Sequence, residues 1–236
     1  MRLTALLLSI ALVAAPAAAK PRKPAVPREP VVVELFTAQG CTDCPAANEL
    51  LMKLEDRPGV IALTFAVDYW DYLGWKDTFA KPEFAERQHA YMEAMKLRDV
   101  YTPQIVVDGA KQAAGVKTQD VEAMVREAIE HRAYQPEMQF MSGGRVAVGS
   151  GRAPRGGANV WLVRYDDGVR EVEVRKGDNR GQTIRHGNVV RELIKLGPWR
   201  GAPRIFRLPK AAESELKTVV IVQGARTGRI IGAKRL

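Results

Sequence analysis

Apolar residues recur along this chain at two spacings, and each spacing calls for a different element. Val31 to Phe36 is an almost unbroken β-branched and aromatic run, as in a strand buried on both faces, and Val60 to Asp68 is a second. Between them Ala47, Leu50, Leu51 and Leu54 fall at i, i+3, i+4 and i+7, one stripe of a helix that Pro58 and Gly59 end. Pro82 opens a second helix running to about Arg98. Gln104 to Asp108 and Gln112 to Val116 then form a hairpin turning at Asp108 and Gly109. Val121, Met124, Val125, Ala128 and Ile129 give a third amphipathic helix with Thr118 as its cap. The expected order is strand, helix, strand, helix, strand, strand, helix.

From Glu137 onward the stripes give way to glycines, arginines and short alternating runs. Trp161 to Tyr165, Val169 to Arg175, Val219 to Gln223 and Arg229 to Ala233 read as strands. Val189 to Leu196 fits a helical face as well as a strand, and its β-rich neighbours favour the strand. The change implies an α/β domain over residues 31–136 and a smaller all-β, sandwich-like domain over 137–236. Charge divides at the same place. Residues 20–136 hold 15 basic and 18 acidic side chains, residues 137–236 hold 20 and 9. A basic unit of this kind suits an anionic envelope surface or an acidic protein better than nucleic acid, although arginines this scattered also suit solvated strand faces.

The first residues bear on where such a chain works. Met1 and Arg2 precede an apolar run from Leu3 to Ala15, and Ala17 to Ala19 end it before Lys20. This is the layout of an export signal cleaved after Ala19; the run is too short for the roughly 20 residues of a spanning helix, and no later segment replaces it. Residues 20–30, with four prolines and four basic residues, read as a flexible lead-in. The mature chain is therefore expected to be periplasmic or secreted, with no transmembrane segment, where disulfides persist.

The chain has two cysteines, Cys41 and Cys44, three apart between a buried strand and an amphipathic helix. That spacing at a helix start lets the two sulfurs close a small ring, while the helix dipole favours a thiolate on the first. Cys41 would attack and Cys44 would resolve the mixed disulfide. Asp43 opposes that thiolate and should hold its thiol nearer the ordinary range, tuning the pair toward the reducing side. A structural disulfide and half of a metal site are the competing readings. Redox chemistry at such a pair needs no bound cofactor. The aromatic block Tyr69 to Trp75 is core or a groove wall, with Trp70 and Trp75 as candidate substrate contacts. His89, His131 and His186 are too dispersed to suggest a metal cluster, and GDNRG, Gly177 to Gly181, reads as a turn.

The stretch VVVELFTAQGCTDCPAANELL resembles the active-site strand, turn and helix of the thioredoxin superfamily. Together with VDYWDYLGWKD, VYTPQIVVDG and GDNRG, it is similar to a family of uncharacterised secreted bacterial proteins with a thioredoxin-like domain. The resemblance implies an α/β thioredoxin-like fold for residues 31–136. It further implies a cis bond before Pro103 beside the cysteines, leaving the backbone of Thr102 for an extended substrate. Glu34 would be a buried carboxyl of raised pKa that deprotonates Cys44. The activity expected is thiol–disulfide exchange of reductase or isomerase type on protein or small thiol substrates. The alternatives are a copper-binding module using the two thiolates and a non-catalytic envelope binding protein.

Overall fold

The computed structural model describes residues 30–131 and 136–236. The expected export signal, all but the last residue of the lead-in, and residues 132–135 beside the expected domain boundary lie outside the described residues.

Strand β1 (Val31–Thr37) pairs parallel with β2 (Val60–Ala66) and antiparallel with β3 (Gln104–Val107), which pairs with β4 (Lys111–Ala114). Every residue of β1 and β2 is buried, which is why both read as continuous apolar runs rather than alternating ones. Val31, Val33 and Leu35 pack on helices α1 (Cys44–Glu55) and α3 (Thr118–Glu130). Val32 and Phe36 face the other way, toward Phe84 and Tyr91 of α2 (Pro82–Met95).

Beyond α2 lies a second sheet, in the order β10 (Val190–Trp199), β7 (Ala158–Tyr165), β12 (Lys217–Gly224) and β13 (Ile230–Arg235). The alternation along β7 sends Val163 and Tyr165 into the cluster that holds Val32 and Phe36, while Val160 and Leu162 face a third sheet. That sheet is β5 (Met138–Met141), β6 (Arg145–Val148) and β11 (Arg204–Arg207), closed around Trp199 and Phe206. One apolar cluster thus draws residues from both sides of position 136.

The hairpin of β8 (Val169–Glu173) and β9 (Thr183–Gly187) leaves these layers and lies along α1. Arg185 reaches Glu49 at 3.0 Å, and a Cβ at Gly187 would meet Met52 Cγ at 2.5 Å. The residues after β9 run beside β2. Thr64 donates its N–H to Asn188 O at 3.0 Å and its hydroxyl to Gly187 O at 2.5 Å, and Asn188 Nδ2 donates to Ala62 O at 2.9 Å. The open edge of β2 is closed by these bonds.

Candidate functional site

Cys41 follows β1 by four residues and Cys44 is the first residue of α1, so the buried strand and the helix start fix both. They form a disulfide with Cα atoms 5.4 Å apart. Neither sulfur stands open: Cys41 is 2% exposed and Cys44 is fully buried. The turn that carries them is also held from far along the chain. Asn179 Nδ2, in the GDNRG turn, donates to Gln39 O at 2.9 Å and to Cys41 O at 2.8 Å. Thr42 adds a long bond of 3.4 Å to Asp178 Oδ2.

Gln39 ties a second segment to the cysteine turn. Its N–H donates to Asp77 Oδ2 at 2.6 Å, its amide nitrogen donates to Thr78 Oγ1, and its amide oxygen accepts from the Trp75 indole at 2.9 Å. Asp77 also accepts from the N–H groups of Phe79 and Ala80. Burial, the largest effect, pushes its carboxyl up to about 6, and the Asp71 carboxylate adds to this while the backbone bonds pull it down.

Below the pair, Asn48 stands one turn after Cys44. It accepts from Thr37 Oγ1 at 2.8 Å, donates to Arg185 O at 2.9 Å, and lies 3.2 Å from His186 Nδ1. His186 is fully buried, its ring edge-on to Phe79, and burial pushes its pKa down to about 4. It is therefore neutral, and with Nδ1 accepting from Asn48 the proton sits on Nε2, which has no hydrogen-bond partner among the described residues.

The expected site residues are brought together in part. Thr102 and Pro103 are joined by a cis bond and connect to the cysteine turn through Trp70. The Trp70 indole donates to Thr102 Oγ1 at 2.7 Å, Trp70 Cβ lies 3.3 Å from where a Cβ on Gly40 would stand, and Gly115 packs between Ala47 of α1 and Pro103. Trp70 stacks on Tyr72, whose ring is 78% exposed. Trp75 instead serves as a fastener for Gln39. Asp43 is exposed and makes no capping bond at the start of α1.

Glu34 is where the sequence expectation fails. It is fully buried, but it is not a lone carboxyl held ready for Cys44: Arg87 grips it through Nε at 2.7 Å and Nη2 at 3.2 Å, and Tyr91 donates its hydroxyl to it. Both of its oxygens are thus engaged by a guanidinium and a phenol of α2. Asn179, Gln39, Asp77, Asn48 and His186 were not singled out from sequence as site residues. The signals available were the motifs GDNRG and VDYWDYLGWKD, which contain Asn179 and Asp77. Among the described residues, no group of three or more His, Cys, Asp and Glu side chains is placed to hold a metal.

No curated protein matches the chain. The crystal structure of protein AGR_C_4864 from Agrobacterium tumefaciens is similar to it, with 31% identity and a TM-score of 0.70 over 87% of this chain and 93% of that one. HBP35 of Porphyromonas gingivalis shares the fold at 14% identity and a TM-score of 0.55, over 88% of this chain and 74% of that one. The model of the family described as Protein of unknown function (DUF1223) matches residues 32–223, and the chain belongs to that family.

Proposed function

We propose that this protein is an exported thiol–disulfide oxidoreductase with a thioredoxin-like N-terminal domain, working in the periplasm or outside the cell through Cys41 and Cys44. The observation that carries the reading is the Cys41–Cys44 disulfide at the start of α1, with Trp70 packed at Gly40 of its turn and bonded to Thr102 of the cis Thr102–Pro103 pair. In the reducing direction the Cys41 thiolate attacks a substrate disulfide and expels one substrate thiolate. Cys44, deprotonated, then attacks Cys41 Sγ, expels the second substrate thiolate and restores the internal disulfide. Two electrons pass from the cysteine pair to the substrate, and the two thiol protons go to the released thiolates. An external dithiol must reduce the pair again.

Asp43 and Asp178 place two carboxylates at the turn, and both oppose the thiolate that reduction creates. The reading is therefore of a reductase or isomerase, with a potential nearer about −270 mV than about −120 mV. Residues 137–236, basic overall, would add an electrostatic hold on anionic envelope surfaces or acidic proteins, which raised salt releases.

Glutathione equilibration tests the potential, and the Cys44→Ser chain tests the chemistry. Mixed disulfides trapped on Cys41 from a reduced and re-oxidised envelope extract are expected, together with loss of insulin disulfide reduction in Cys41→Ser. A wild type that leaves insulin intact and a Cys44→Ser chain that traps no adduct would overturn the reading.

A further inference from the structure

Helix α2 and the second sheet enclose a cavity of about 540 Å³, away from the cysteine turn. That is the size of a small-molecule cleft. Its floor is closed chemistry. Arg87 lines the cavity, but Glu34 balances its charge and four of its five N–H donors are taken by Glu34, Tyr91 and Gln223, which leaves it poorly suited to receive an anion. What remains available is mostly acidic, with one exception: Arg226 also lines the cavity and forms no ion pair among the described residues. Glu83, Glu86 and Glu93 line the α2 side at positions that share one helical face, and none of them forms an ion pair among the described residues. Opposite them, the Asn159 amide has no hydrogen-bond partner among the described residues, and the half-buried Trp161 ring forms an apolar wall.

The setting sharpens this charge. Residues 20–136, which include α2, hold 18 acidic and 15 basic side chains, so these carboxylates sit in the acidic part of a chain that is formally +9. Trp161 already carries Arg87 Cζ at 5.8 Å and Lys195 Nζ at 5.9 Å from its ring centre, so a ligand would meet the ring with its apolar part rather than with its charge. We propose that this cavity binds a small organic cation, with its ammonium or guanidinium group among the α2 carboxylates and its hydrocarbon body against Trp161. Asn159 supplies the neutral hydrogen bond that orients it. The inference stands apart from the thiol chemistry and holds whether or not the cysteine pair is catalytic.

Calorimetric titration of the purified chain with spermidine, and separately with acetyl-Gly-Arg-Gly-amide, tests it and distinguishes a free amine from a basic peptide side chain. Saturable binding of at least one probe is expected, weakening as salt is raised, with a change in tryptophan emission that Trp161→Phe alters. The double variant Glu86→Gln, Glu93→Gln should bind about tenfold more weakly; both side chains are exposed, so the fold is not at stake. Absence of saturable binding by either probe, or affinity unchanged in the double variant, would overturn the proposal.

Discussion

His186 and Asp77 meet through Phe79, whose ring packs on the imidazole and whose N–H binds the carboxylate. Burial drives their pKa values in opposite directions. His186, lowered from 6.5 to about 4, favours the fold above pH 6.5 and loses that contribution as the pH falls toward 4. Asp77, raised from 3.8 to about 6, does the reverse: the fold gains as the pH falls from 6 toward 3.8. Each change is worth about 3 kcal/mol, so in the wild type they largely cancel. His186→Gln should therefore become more stable on acidification from pH 7 to 4, and Asp77→Asn less stable, in urea midpoints each referred to the variant's own value at pH 7. Parallel pH profiles in both variants would refute the pairing. At this scale the spacing of Cys41 and Cys44 made their disulfide legible, while the cis bond before Pro103 was legible only through the resemblance. The sequence was not readable where a partner decides the role: Glu34 is set by Arg87, 53 residues away.

Among the elements, the turn at Gly177 to Gly181 does the most with the least. Asn179 holds two carbonyls of the cysteine turn, and its removal leaves them without that donor. Asn179→Ala is expected to speed reduction of the disulfide by dithiothreitol about tenfold, measured by quenched thiol labelling; an unchanged rate would show that this turn does not limit access. Gly115 acts by size. A Cβ there would lie 2.6 Å from Ala47 Cβ and 3.1 Å from Pro103 Cβ, so Gly115→Ala should cost roughly 1–3 kcal/mol in denaturant unfolding as α1 and the Pro103 loop are forced apart. The helices and long strands were legible because several apolar residues repeat one spacing. The strands β5, β6 and β11, four residues each, carry too few positions to show a period; β3 and β4 are as short, but the Asp108–Gly109 turn between them made that hairpin legible.

Across the whole molecule, the change in composition near residue 136 suggested two units, yet Val32 and Phe36 share a cluster with Val163, Tyr165, Val190, Val219 and Ile221. A fragment ending at residue 136 would expose that face of the first sheet, and apolar burial worth about 25 cal/mol per Å² would be lost from a fold whose net stability is small. Such a fragment is expected to lack a cooperative unfolding transition and to bind a hydrophobic dye. A sharp two-state transition in the fragment would show instead that its own half of the core suffices. Composition could register the boundary but not the contact across it, because a shared core uses the same valines and aromatics as two separate ones.

The Asn179 bond to Cys41 O spans 138 residues, and those closing the edge of β2 span 123 and 126. Synthesis runs from the N terminus, so both cysteines and the whole of β2 emerge long before Asn179 and the residues after β9 that bond to them. During that interval the pair is open to any oxidant it meets, and the bare edge of β2 is open to any passing strand. What the finished protein shuts away, the growing chain displays; timing, as much as architecture, decides which partners reach the sulfurs first.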